Sequence, residues 1–234
     1  MIASPRLAQS MSVPQSMEIC NSTVTFSPHV KNLGVTLDCH LSMNIQVTNI
    51  CRSAYIELRR IASIRHFLTA EATKTLVCAF ILSKLDYCNL LLAGCPQSLL
   101  SKLQMVQNSA ARLISKTTRR DHITPVLHDL HWLPVRDRIS YKVASITFSC
   151  ITASCPPYLS ALLQLYTPSR QLRSASDTRK LRIPRVKTLT FGQRSFSFQS
   201  TACWNSLPEC LRHADTKDIF KRNLKTHLFQ STYH

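Results

Sequence analysis

The chain has 234 residues, 44% of them hydrophobic, and its 29 lysines and arginines outnumber 12 acidic residues to give a net charge of +17. That hydrophobic content is sufficient for a core, whereas three glycines and 7% aromatic residues disfavour a sheet-rich fold with many tight turns. The charge excess indicates a polyanionic partner. Nucleic acid is the first candidate and an anionic membrane surface the second. The alternative interpretation is that the charge serves only to keep the protein soluble.

Ten cysteines are spread along the chain. We recognise no secretory signal ahead of them, and no stretch approaches the ~20 apolar residues that a membrane-spanning helix needs. We therefore expect free thiols in a reducing compartment. The expected location is intracellular, in the nucleus or cytoplasm, with no membrane partner and no secretion.

The sheet signals lie near the N-terminus. Residues 1–19 are rich in Ser, Pro, Met and Gln without a regular period, which is typical of a poorly ordered lead-in. Within residues 20–42, the β-prone runs 23–26 and 33–37 flank a Ser-Pro-His segment. We expect these two runs to pair as one β-hairpin.

Apolar side chains at helical spacing predict a helical bundle over residues 43–155. A first helix covers about 43–64, and Thr69 is placed as the N-cap of a second. Over 97–115 the apolar residues recur at steps of four and three, which predicts an amphipathic helix. A further helix covers about 134–152 and stops before two prolines.

The composition changes after the bundle. Residues 156–197 are rich in Arg, Ser and Thr with few acids, which predicts an exposed basic linker or arm. Residues 198–234 predict a C-terminal helical unit, with Asp218 early and basic residues late in its last helix, as the helix dipole favours. The predicted fold class is mainly α: a short N-terminal β-hairpin, a helical bundle, and a basic arm with C-terminal helices.

No catalytic pattern is complete in the sequence. Phosphoryl-transfer enzymes hold two metal ions with paired carboxylates, yet there is no Asp-Asp pair, no glycine-rich phosphate loop and no Gly-x-Ser-x-Gly elbow. His213 and Asp215 match half of an iron oxygenase site, but only 19 residues follow. His122, His128 and His131 cluster without matching Cys or acid partners, and the cysteine pairs are spaced too widely for a zinc knuckle. We expect binding rather than catalysis, with no metal and no cofactor.

Nine blocks of sequence, read in order, resemble a known family. They are residues 30–38, 85–89, 103–114, 122–136, 156–159, 170–174, 192–196, 204–208 and 220–229. Together they closely resemble the C-terminal third of the reverse transcriptases encoded by vertebrate non-LTR (LINE-type) retrotransposons, over roughly residues 20–230.

The resemblance implies an RNA-directed DNA polymerase whose catalytic palm lies upstream of the matched region. We therefore expect a truncated or decayed copy that is inactive alone. Residues 32–38 correspond to the family's primer-grip hairpin and the helices of about 43–115 to its thumb, so 43–155 is a thumb-like region. The implied partner is nucleic acid, a primer-template duplex of RNA or DNA, or an intact retrotransposon polymerase.

The candidate nucleic-acid contacts are basic side chains of the helices and the arm, together with a glycine whose missing side chain permits close backbone approach. They are Gly34, Arg52, Arg59, Arg60, Arg112, Arg119, Arg120, Arg170, Arg173, Arg179, Arg182 and Arg185. Trp132 and Trp204 are able to stack on bases, but their apolar neighbours favour packing. Two alternatives stay open: a helical protein-interaction module, and a non-functional product of a decayed element.

Overall fold

The structure, a computed structural model, describes residues 16–167, 179–188 and 191–233. It is mainly helical, as the sequence predicts. The strands are β1 (Ser16–Ile19), β2 (Ser22–Thr25), β3 (His29–Asn32) and β4 (Val35–Asp38). The helices are α1 (Asn44–Ile64), α2 (Ala70–Val77), α3 (Ser83–Asp86), α4 (Gln97–Ser115), α5 (Ile123–Asp129), α6 (Val135–Ile151), α7 (Pro157–Ser160), α8 (Phe196–Asn205), α9 (Glu209–Arg212) and α10 (Lys217–Tyr233). Across these ranges, no helix combines the length and the apolar character that a bilayer crossing requires.

Shorter turns connect some of these helices. A 3₁₀ turn (Arg65–Phe67) follows α1, a π-helical turn (Cys78–Leu82) joins α2 to α3, and a second 3₁₀ turn (Asn89–Leu92) follows α3. The side chain of Thr69 accepts a hydrogen bond from the backbone N of Ala72 at 3.1 Å, which confirms the predicted N-cap of α2.

The strands form two separate antiparallel hairpins instead of the single predicted one. β1 pairs with β2, and β3 pairs with β4. Both turns have two residues of positive φ: 48° and 62° at Cys20 and Asn21, and 46° and 81° at Leu33 and Gly34. Such two-residue turns match the right-handed twist of hairpin strands. The runs that we expected to pair with each other therefore pair with their nearer neighbours.

The first hydrophobic core is built around α1 packed against α4. Its side chains recur at helical spacing, with Val47, Ala54 and Leu58 on α1 and Leu103 and Val106 on α4, all buried. The predicted amphipathic helix over 97–115 is confirmed with the same bounds. The β3–β4 hairpin and α2 pack on the same core.

A second core lies at the far end of α6. Ile139 and Val143 belong to the first core, whereas Phe148 belongs to the second. The ring of Phe148 stacks on Phe220 of α10 with centroids 4.4 Å apart and planes at 16°, and Trp204 of α8 lies 5.7 Å from Phe220. Because α6 contributes to both cores, it joins the C-terminal helices to the bundle.

Part of the segment predicted as an exposed arm packs into this second core. Leu181 is 3% exposed. Its backbone N donates to Asn205 Oδ1 at 2.9 Å, and Asn205 Nδ2 donates to its carbonyl at 2.8 Å. The buried side chain of Leu181 and its two backbone hydrogen bonds thus help to hold this basic segment against α8.

The C-terminal helix also docks on the first core. The hydroxyl of Tyr233 donates to the carbonyl of Trp132 at 2.5 Å, and Thr232 donates to Asp137 Oδ2 at 3.0 Å. Burial raises the pKa of Tyr233 to about 12, so its hydroxyl stays protonated as a donor at neutral pH. These contacts fix the C-terminal end of α10 against the first core.

Candidate nucleic-acid interface

The turn of the β3–β4 hairpin is held close to the helices by one tyrosine. The hydroxyl of Tyr87 donates to the carbonyl of Leu33 at 2.6 Å, although Leu33 itself is 83% exposed. A Cβ built on Gly34 lies 3.6 Å from the Tyr87 ring, so space is available there and the φ of 81° is what favours glycine. The positive φ of the turn is therefore sufficient reason for glycine at position 34, and its contact with nucleic acid stays a prediction.

A groove of about 660 Å³ lies between this hairpin and the helices α1 and α3. Its base is polar and ordered: the backbone N of Thr36 donates to Gln46 Oε1 at 2.8 Å, and Asn49 Nδ2 donates to Thr36 Oγ1 at 3.4 Å. Lys31 and Lys84 line the groove. An ordered polar floor with two lysines is suited to a phosphate backbone, which presents acceptors and negative charge.

The lysine on α3 is partly neutralised by its surroundings. Lys84 Nζ donates to Ser53 Oγ at 2.7 Å and lies 3.4 Å from Glu57 Oε1. Glu57 also pairs with Arg60 at 3.4 Å, but Arg60 is 71% exposed at its side chain, and such surface pairs contribute little. The guanidinium of Arg60 therefore remains accessible to a ligand.

The predicted arginines of α1 share its solvent face. Arg52, Arg59 and Arg60 are exposed, whereas the opposite face of α1 is buried against α4. Helical spacing places Arg52 and Arg59 two turns apart along one side. The structure thus brings these three residues together as a basic stripe.

The loop that follows α4 presents Arg119 and Arg120 to solvent. The carboxylate of Asp121 accepts a hydrogen bond from the backbone N of Thr118 at 2.6 Å, which lowers the pKa of Asp121. Arg112 donates from Nε to the carbonyl of Thr118 at 3.1 Å and from Nη2 to that of Asp121 at 3.2 Å. Two of the five N–H donors of Arg112 are thus used inside the loop, and we assign Arg112 to holding the loop rather than to phosphate.

Replacing Arg112 with alanine should lower the free energy of unfolding by about 1 kcal/mol, because two loop carbonyls lose their charged donor. Arg119→Ala is the matched control, with an exposed side chain and an expected change within about 0.5 kcal/mol. Urea unfolding of the two variants measures the difference. Equal stability would contradict the assignment of Arg112 to the loop.

Another arginine, Arg65, links the C-terminal end of α1 to the C-terminal end of α4, which precedes the loop of Arg119 and Arg120. Arg65, just after α1, donates from Nε to the carbonyl of Leu113 at 3.0 Å and from Nη2 to that of Ile114 at 3.1 Å. These are carbonyls at the C-terminal end of α4, where such donors are otherwise missing. The α1 stripe therefore runs toward the loop of Arg119 and Arg120.

In the arm, Arg179 has a structural role that its charge did not predict. Its Nη1 donates to the carbonyls of Arg212 and Ala214, at 3.0 and 3.4 Å. Its own carbonyl accepts from Trp204 Nε1 at 2.6 Å. Arg179 thus ties the arm to the second core.

Of the other four predicted arginines of the arm, the structure describes two. Arg182 and Arg185 are exposed. Arg170 and Arg173 lie outside the described residues. Trp132 and Trp204 are 4% and 0% exposed, which confirms packing as their role.

Sequence reasoning missed Lys31, Lys84 and Tyr87 as site residues. Tyr87 falls in the block 85–89, but nothing in one sequence places that block beneath the hairpin. In the described ranges, no group of three His, Cys, Asp or Glu side chains is arranged to hold a metal ion. All ten cysteines are free thiols.

Comparisons with known proteins do not place the chain in a family. No protein-family model matches it, and neither a curated protein nor a solved structure is found to be similar to it.

Proposed function

We propose that this chain binds a nucleic-acid duplex, as the post-palm part of a non-LTR retrotransposon reverse transcriptase. The observation that carries the proposal is the set of exposed basic side chains along α1 and in the loop of Arg119 and Arg120, together with Lys31 and Lys84 in the groove beneath the β3–β4 hairpin. The net charge of +17 supports it. In this proposal the groove corresponds to the primer grip, and α1 with α4 to the thumb.

α1 is long enough to follow several steps of a nucleic-acid duplex. α1 has 21 residues, which corresponds to a length of about 30 Å. At 3.4 Å per step along each strand, that length covers about nine steps of a duplex. The proposed role is to hold template and primer, since the sequence contains no Asp-Asp pair to support polymerisation.

Salt dependence of binding tests the proposal. Fluorescence anisotropy of a labelled 16-base-pair duplex should give a line in log Kobs against log salt with a slope of about −3 to −5, from about four to five phosphate contacts. Affinity should then fall on the order of 100-fold between 50 and 200 mM salt. A flat line would rule out phosphate contact as the source of binding.

A protein-interaction module is the second candidate, because apolar side chains are exposed at the C-terminal end of α1, just beyond it, and on the π-helical turn. Ile64 and Phe67 are 44% and 81% exposed, and Phe80 is 48% exposed. Exposed apolar patches mark protein contacts when they are contiguous. Weak, salt-independent duplex binding together with loss of a protein partner in Phe67→Ser would favour this candidate.

A further inference from the structure

A cavity of about 460 Å³ lies between the π-helical turn, α6 and α10. Cys78 and Leu82 line it from the turn, Tyr141 and Lys142 from α6, and Lys225 from α10. Its volume is within the range of about 300–1,000 Å³ that holds small organic ligands. No arginine that we assign to nucleic acid lines this cavity, so the inference is independent of the proposed function.

The π-helical turn gives the cavity its apolar wall. Single π-helical turns of this kind interrupt the regular hydrogen bonding of an α-helix and are frequent at functional sites. Here the turn interrupts an otherwise continuous helical stretch from α2 to α3, and two of its five residues face the cavity. The irregularity and the cavity thus occur at the same place.

A buried amide in the cavity wall has an unused acceptor. Asn89 lines the cavity and is 4% exposed. Within the described part of the chain its Oδ1 accepts no hydrogen bond. Buried polar atoms are nearly always paired, because leaving one unpaired costs free energy. A ligand that donates a hydrogen bond to Oδ1 would satisfy it.

The remaining polar groups of the cavity carry net positive charge. Arg138 donates from Nη1 to Asp86 Oδ2 at 2.7 Å and from Nε to the carbonyl of Leu133 at 3.0 Å, so these two charges neutralise each other in a fixed geometry. Lys142 of α6 and Lys225 of α10 also line the cavity, and their ammonium groups add two positive charges to this neutral pair. Two cations that line one cavity favour a dianion such as a phosphate ester.

We propose that this cavity binds a small phosphorylated molecule that also carries an N–H donor, of the size of a nucleoside monophosphate. Lys142 and Lys225 bind the phosphate, Asn89 Oδ1 accepts from the donor, and the apolar body packs on Cys78 and Leu82.

Isothermal titration calorimetry of the full chain with adenosine 5′-monophosphate tests the site. We expect saturable binding at one site per chain. Adenosine, which lacks the phosphate, and purine riboside 5′-monophosphate, which lacks the exocyclic amine, should each bind at least about five-fold more weakly, because each loses one of the two polar contacts.

Matched variants separate the cavity from the general basicity of the chain. Lys142→Gln with Lys225→Gln should weaken binding at least about ten-fold, since both partners of the phosphate are removed. Lys102→Gln with Lys217→Gln removes the same two charges from exposed positions elsewhere and should leave affinity unchanged. No saturable binding up to millimolar concentration, or equal loss in both pairs, would overturn the proposal.

An NMR measurement tests the role of the amide without substituting it. The side-chain amide resonances of Asn89 should shift when adenosine 5′-monophosphate binds and shift less with purine riboside 5′-monophosphate. Unchanged Asn89 resonances in the presence of bound ligand would also overturn the assigned site.

Discussion

Phe148→Ala is expected to destabilise the protein by about 3–5 kcal/mol, the usual cost of removing a large buried aromatic side chain. Phe148 is 1% exposed and stacks on Phe220, with Trp204 6.3 Å away. The truncation leaves a cavity at the point where α6, α8 and α10 meet. Thermal and urea unfolding, followed by circular dichroism, measure the loss.

Two control variants make the expectation specific. Phe148→Leu retains most of the apolar volume and should cost clearly less than the alanine variant. Phe67→Ala removes the same ring from a position that is 81% exposed, so its effect should stay within about 0.5 kcal/mol. Equal effects at positions 148 and 67 would contradict the second core.

The shape of the wild-type transition carries information of its own. Because α6 contributes to both cores, we expect one cooperative transition for the whole described chain. A sloping transition without a midpoint would instead favour the alternative of a non-functional product that does not fold alone. A second, separate transition that only Phe148→Ala shifts would mean that the two cores unfold independently.

The elements that the sequence predicted well are those with a strong local signal. The predicted bounds of α4 match the observed ones because its apolar residues repeat at helical spacing for about four turns. The hairpin pairing was predicted wrongly because the turn at Cys20 and Asn21 lacks the glycine that usually marks such turns. Because that glycine is missing, the sequence indicates the Ser-Pro-His segment at residues 27–29 as the turn between two paired strands.

The candidate site was less predictable, because charge does not specify what a guanidinium contacts. Arg112, Arg119 and Arg120 look alike in sequence, yet only the first donates to loop carbonyls. Whether a basic side chain faces solvent or a neighbouring carbonyl depends on packing between distant segments. Tyr87 illustrates the same limit, since its partner Leu33 lies 54 positions earlier in the chain.

Removing four predicted phosphate contacts should have the largest effect on binding. In the variant Arg52→Gln, Arg59→Gln, Arg119→Gln, Arg120→Gln, all four positions are exposed, and glutamine retains good helix propensity. Each lost contact removes about 0.9 from the salt slope, so the slope should become shallower by about three to four. Duplex affinity near 0.1 M salt should fall on the order of 10²–10³-fold.

A charge-matched variant decides whether position or total charge matters. The variant Arg136→Gln, Lys180→Gln, Lys217→Gln, Arg222→Gln also removes four exposed charges from the net +17, but its positions lie in α6, α10 and the arm rather than in α1 or the loop of Arg119 and Arg120. Its affinity should fall less than about five-fold, because only the long-range field changes, and that field is screened beyond about 10 Å at this salt concentration. If both variants lose affinity equally, the basic chain binds polyanions without a defined surface. The assignment of α1 and of the loop after α4 to duplex binding then fails. If only the first variant loses affinity, the duplex contacts lie on α1 and on the loop of Arg119 and Arg120, as proposed.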